Sequence, residues 1–365
     1  MSRFSNLGHR LYQGEVSFDF VGRRKLWYSI SGVIVLVAAV GLAMGLHLGI
    51  EFKGGSVYTV SKPGLSVSQA QDAADKIVSS HPLVQSVDEG KKIRIQVSSE
   101  DSVSSSVFTD KLSKELSVPV AEIDTQVIGP SWGEQISKKA LTGLIIFMIL
   151  VTAYLAIAFE WRMAVAALVA LIHDLLITIG VYALVGFEVT PGTVIGFLTI
   201  LGYSLYDTVV VFDTVKENTK GLAKQNKLTY SEAANAGLNQ TLVRSLNTTV
   251  VALLPVAALL FIGGGLLGAG TLNDISLALF IGLAAGAYSS ICVATPLLAQ
   301  LKEEQPEMKA LRKRVLQHRA AAAAKSAAAG EGEEIADEDL PAGMVGQRGR
   351  SAGTSRAKGR PSTKR

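Results

Sequence analysis

The sequence predicts a polytopic α-helical membrane protein, with six transmembrane helices and one extracytoplasmic α+β (ferredoxin-like) domain between helices 1 and 2. Three observations carry that fold class. Charged residues make up only 18% of the 365, against about 25% in soluble domains, and mean hydropathy is +0.34. Six apolar stretches each reach the length of about 20 helical residues that a hydrocarbon core demands. Between the first two stretches, the patterns run strand, helix, strand, strand, helix, strand.

Residues 1–25 form a cytoplasmic segment that ends on Arg23, Arg24 and Lys25, and span one covers 26–48. Its apolar run outlasts the roughly 7 to 15 residues of a signal-peptide core, so it reads as an uncleaved anchor. Within 49–139, residues 56–60 alternate as a strand. After the turn at Pro63 and Gly64, a serine N-cap opens a helix with Ala73, Ala74, Ile77 and Val78 on one face. Two strands follow around a turn at Glu89 and Gly90, with Ile93, Ile95 and Val97 alternating. A helix near 103–117 and a strand near 121–128 complete the unit. His47 and His81 have no neighbouring Cys or His, and fold alone assigns this domain no function. Ser131 and Glu134 have capping-box spacing where the chain re-enters the membrane.

The remaining spans, 140–159, 163–185, 192–212, 244–263 and 274–299, leave a cytoplasmic loop at 213–243. Lys and Arg set their orientation. Arg3, Arg10, Arg23, Arg24 and Lys25 precede span one, and Lys216, Lys220, Lys224 and Lys227 lie between spans four and five. The turns 186–191 and 264–273 contain neither residue type, so both termini are predicted to be cytoplasmic. Residues 300–365 turn charged, Ala-rich, acidic and finally basic; this composition predicts a disordered, solvated tail rather than a nucleic-acid partner. Cys292 is the single cysteine, so no internal disulfide forms, and no Cys/His spacing suggests a metal or other cofactor.

A carboxylate in hydrocarbon is costly, so ionisable residues within spans are candidate functional groups. Asp207 lies about 15 residues into span four, roughly 22 Å deep. Tyr203, Thr199 and Gly196 extend from it as a polar and small stripe, expected to face the bundle. Span five places Arg244 at similar depth, with Asn247 and Thr248 continuing its face. An Asp207–Arg244 pair that closes and separates would take up and release a proton as the helices move. His173 and Asp174 share the centre of span three, and at least one of them should face inward. Gly282, Gly286 and Ser290 recur every four residues in span six, a close-packing pattern. Asp213, at the end of span four, reads as interfacial.

Four stretches resemble the SecF family, the smaller partners of SecD in bacterial protein export and a branch of the resistance-nodulation-division transporters. They are GIEFKGGS (49–56), GYSLYDTVVVFDTVKEN (202–218), LNQTLVRSLNTT (238–249) and GAYSSICVATPLL (286–298). Glu51, Tyr206, Thr214 and Ala287 depart from the family's more frequent Asp, Asn, Arg and Thr. The resemblance spans about 10–300 and implies six helices with one external domain in the cytoplasmic membrane. It also implies use of the proton-motive force with SecD to draw preproteins outward after the SecYEG channel and the SecA ATPase have begun translocation. By motif position the family's proton-pathway Asp and Arg fall on Asp207 and Arg244, and a family His-Asp pair falls on His173 and Asp174.

Two other readings are open at this point. An intramembrane aspartyl protease also uses a Tyr-Asp pair, but it needs a second Asp in a Gly-x-Gly-Asp setting, which this sequence lacks. A non-transporting scaffold for the export channel would make Asp207 and Arg244 a static pair.

Overall fold

The computed structural model describes residues 17–62, 64–79, 82–87, 92–98, 103–266 and 270–328. The chain begins with α1 (Arg24–Met44), a two-residue strand β1 (His47–Leu48) and a short α2 (Ile50–Lys53). The α/β domain then runs β2 (Gly55–Val60), α3 (Val67–Asp75), β3 (Leu83–Val87), β4 (Lys92–Ser98), α4 (Ser105–Leu116) and β5 (Ile123–Ile128). Its antiparallel sheet has the order β3-β4-β2-β5, the arrangement of a ferredoxin-like unit. Alternation explains the packing: Tyr58, Val60, Ile93 and Ile95 point to one side and bury Phe108 and Leu112 of α4, with Tyr58 stacked 4.3 Å from Phe108. Ser66 caps α3 in a reciprocal capping box with Gln69. His81 and the Glu89–Gly90 turn lie outside the described residues.

Gly54 leaves α2 with φ +82°, a backbone that other residues adopt only with strain. Beyond the domain come α5 (Pro130–Ala158), α6 (Trp161–Val185), β6 (Glu188–Val189), α7 (Pro191–Asn218), α8 (Tyr230–Ala258) and α9 (Gly270–Ser289). A π turn (Ser290–Ala294), α10 (Thr295–Glu303) and α11 (Pro306–Ala328) follow. Among the described residues, six helices are long and apolar enough to cross a membrane. Strands β1 and β6 pair in parallel, His47 opposite Glu188 and Leu48 opposite Val189, which ties the end of α1 to the turn between α6 and α7.

Three expectations require correction. The capping box at Ser131 and Glu134 does not form: Pro130 opens α5 as its first helical residue, and Glu134 instead pairs with Lys138 at 2.7 Å. The loop 213–243 shrinks to the short stretch between Asn218 and Tyr230, because hydropathy marks the hydrocarbon and not the helix, and both helices continue into polar sequence. The tail is ordered into helix as far as Ala328. Alanine is the strongest helix former, and Leu311 and Val315, one turn apart, are fully buried in the main core. Arg319 then grips Glu232 through two hydrogen bonds of 2.7 and 2.9 Å, fixing this helix against the start of α8. At the same end of the bundle, Arg24 meets Glu303 at 3.5 Å and Lys302 pairs with Glu160.

Candidate functional site

Among the described residues, two carboxylates are buried in the helix bundle, and serines from neighbouring helices hold each of them. Asp207 on α7 is 6% exposed. Ser245 of α8 donates to its Oδ1, and Ser290 of the π turn donates to its Oδ2 at 2.5 Å. Asp174 on α6 is fully buried. Ser204 of α7 and Ser289 of α9 donate to its Oδ2 at 2.5 and 2.8 Å, and His173 Nδ1 lies 3.2 Å from its Oδ1. Thus α6, α7, α8 and the end of α9 are joined through two acids and four hydroxyls. Burying a carboxylate without hydrogen bonds is prohibitive, and these hydroxyls make it possible.

The π turn contributes to this geometry. Thr295 Oγ1 donates to Ser290 O at 2.9 Å, a five-residue reach that matches π spacing, and such turns concentrate at functional sites. Consecutive helical residues diverge by about 100°, so Ser289 and Ser290 serve different helices.

The same rotation decides the fate of Arg244. It sits at the expected level, since its neighbour Ser245 touches Asp207, but its own side chain is exposed and has no ion pair among the described residues. The Asp207–Arg244 pair is therefore absent: Ser245, one residue on, occupies the inward direction. Asn247 and Thr248 are exposed beside Arg244, and the Thr248 hydroxyl is spent on Arg244 O at 3.0 Å and Ser245 O at 2.9 Å. On α7, Thr199 is exposed and bonds Ile195 O at 2.8 Å, while Tyr203 is half-buried. The inward face holds Ile200, Ser204 and Thr208 instead. Tyr206 is 56% exposed and points away from the acid it precedes.

His173 is buried and stacks on Tyr288 at a centroid distance of 6.0 Å, and its Nε2 has no partner among the described residues. Gly282 and Gly286 lie against α7. A Cβ on Gly282 would come within 2.5 Å of Ile200 Cγ1, and one on Gly286 within 3.0 Å of Ser204 Cβ. Ser290, selected from sequence for packing, is a direct partner of Asp207. Sequence reasoning missed Ser204, Ser245 and Ser289. Ser204 was signalled by its place three residues before Asp207, and Ser289 by its adjacency to Ser290.

A second polar cluster lies where the domain meets the bundle. Arg94 of β4 stands 3.9 Å from Glu51 of α2, and the Tyr182 hydroxyl donates to Asp274 O. Burial, reinforced by Glu51 and Asp274 and only partly offset by Arg94, pushes the Glu188 carboxyl up to about 7. An acid raised in the folded state favours folding while it is protonated. The joint is therefore most stable at low pH and loses stability as pH rises from the ordinary carboxylate range through about 7. Protection of the β1 and β6 amides, taken relative to their intrinsic exchange rate at each pH, is expected to be lower at pH 8 than at pH 6, and Glu188→Gln should flatten that difference. An unchanged slope in the variant would assign the effect to another group.

Comparison with known proteins locates this architecture. The family described as protein export membrane protein SecD/SecF, C-terminal, matches residues 108–304, and the SecD/SecF GG motif matches 41–61. The chain is 59% identical to the protein translocase subunit SecF of Streptomyces coelicolor, over the full length of both. It is 41% identical to SecF of Mycobacterium tuberculosis, over 95% of this chain and 84% of that one. The crystal structure of SecDF from Thermus thermophilus, a translocon-associated membrane protein, superposes with a TM-score of 0.66 at 29% identity. That match covers 79% of this chain and 39% of the longer SecDF. With matching motifs, full-length likeness and a shared fold, the chain belongs to the SecF family of Sec protein-export subunits.

Proposed function

We propose that this chain works with SecD to convert the proton-motive force into outward movement of preproteins across the cytoplasmic membrane, after SecA and the SecYEG channel have begun translocation. A role in Sec protein export follows from family membership; the proton coupling is inferred from the site. The observation that carries it is Asp207, an intramembrane acid held by neutral hydroxyls on two other helices, Ser245 and Ser290. Gaining or losing a proton there changes the bonding between three helices. The orientation that suits this task puts the α/β domain outside and both ends of the chain in the cytoplasm, in keeping with the Lys and Arg placement.

The exposed side of α8 supports a partner within the membrane. Arg244 and Asn247, with Tyr206 of α7, would face lipid at high cost, whereas a second membrane chain can offer them acceptors. SecD is the natural occupant, since in Thermus thermophilus a single SecDF protein contains a region 31% identical to this chain within 40% of its length.

Vesicles carrying this chain, SecD and the channel should export preprotein faster when a proton gradient is imposed. A protonophore should return the rate to that of vesicles lacking the chain. Acceleration that survives the protonophore would reject proton coupling and leave the scaffold reading.

A further inference from the structure

Ser289 and Ser290 differ from the other two serines in one respect. Besides its carboxylate, each has a second acceptor on its own helix: Gly286 O for Ser289 and Ala287 O for Ser290, both at 3.2 Å. Ser204 and Ser245 have no second acceptor among the described residues. The difference matters because the two charge states of an acid need opposite partners. An ionised carboxylate only accepts, while a protonated one also carries an O–H that needs an acceptor. A hydroxyl can serve both states only if its own proton has somewhere else to go.

We propose that Ser289 and Ser290 are positioning residues of the proton site, two hydroxyl rotors that let Asp174 and Asp207 remain buried in either charge state and that link the two acids. The inference rests on the reading of Asp207 as the proton acceptor. When a proton arrives, one O–H bond forms at Asp207. Ser290 then turns about its Cβ–Oγ bond, so that its proton points to Ala287 O and its oxygen accepts from the acid. No proton is lost from the serine, and release reverses the rotation. Ser289 makes the same exchange between Asp174 and Gly286 O. Because the serines are consecutive at the start of one π turn, reorienting either one alters the turn that positions the other.

The surrounding groups frame the effect. From α6, His173 faces Asp174; from α9, Tyr288 stacks on His173 and its hydroxyl bonds to Ser31 of α1 at 2.9 Å. Cys292 is buried within the turn, Tyr203 of α7 is half-buried one turn before Asp207, and Arg244 of α8 points outward.

The test is gradient-driven export, measured across external pH in vesicles carrying the chain with SecD and the channel. Ser290→Ala is expected to displace the pH of half-maximal rate by about one unit, the scale of a hydrogen bond to a charged group. Ser290→Thr, which keeps the hydroxyl, should restore it. Ser289→Ala should move the same profile although, of the two acids, its hydroxyl touches Asp174 and not Asp207. An unmoved profile in Ser290→Ala, or a displacement that threonine does not reverse, overturns the rotor. An unmoved profile in Ser289→Ala overturns the link between the acids. If Ser290→Ala fails to accumulate, Ser289→Ala and Ser290→Thr decide the matter. Failure of the underlying reading is distinguishable, because the wild-type chain would then export without responding to the gradient at all.

Discussion

Asp207→Asn is expected to abolish proton-driven export while leaving the chain folded and abundant. The amide has nearly the shape of the acid: its oxygen accepts from one serine, and its NH2 donates to the other once that hydroxyl turns. Ser290 can make that turn because Ala287 O lies 3.2 Å from its Oγ. The packing of α7, α8 and the π turn is therefore kept. What is lost is the only property that the amide lacks, reversible binding of a proton. The export rate under an imposed gradient should fall to that of vesicles without the chain, with equal amounts of protein in the membrane. A rate that matches wild type would reject Asp207 as the carrier. Asp207→Leu is a harsher change, because it strands the buried hydroxyl of Ser245, which has no second acceptor among the described residues, at about 1–3 kcal/mol. Its loss of export should come with loss of protein.

The largest structural effect is expected at a residue without a side chain. Gly180 of α6 lies against Ala38 of α1, and a Cβ there would come within 2.6 Å of the Ala38 Cα. The obstacle is backbone, so no rotamer change relieves it. Gly180→Val should force α1 off α6, at a cost above the roughly 1–3 kcal/mol of ordinary overpacking. Steady-state level and melting temperature in detergent should both drop. Gly143→Ala and Gly202→Ala, with open space around the added methyl, should behave as wild type. Equal melting temperatures for Gly180→Val and those controls would show that α1 and α6 are free to separate.

The spans and the domain were legible because each rests on a strong local period. Apolar runs of hydrocarbon length mark helices, and Ile93, Ile95 and Val97 alternate openly. The site was legible at its acids, since a carboxylate in an apolar run is conspicuous. Its serines were hidden because serine is common and tolerated on either face of a membrane helix. Arg244 was misplaced for a definable reason: depth can be counted along a helix, but direction depends on how the helix is rotated, and one residue's error turns a side chain by about 100°. The stripe through Tyr203 and Thr199 failed in the same way, for the buried line runs through Ser204 and Ile200. In the tail, charge outweighed the spacing of Met308, Leu311 and Val315, the apolar residues through which α11 packs on the core.

The pairing of β1 with β6 gives the bundle a gear. Helix α6 has 25 residues and is therefore about 38 Å long. Tilting it by about 3° around its Trp161 end would carry the other end about 2 Å sideways, by the same geometry. A flexible linker there would absorb that travel. The ladder from His47 to Glu188 and from Leu48 to Val189 instead passes it to the root of the α/β domain. A small tilt of α6 is thereby handed on to the α/β domain instead of being lost between the helices.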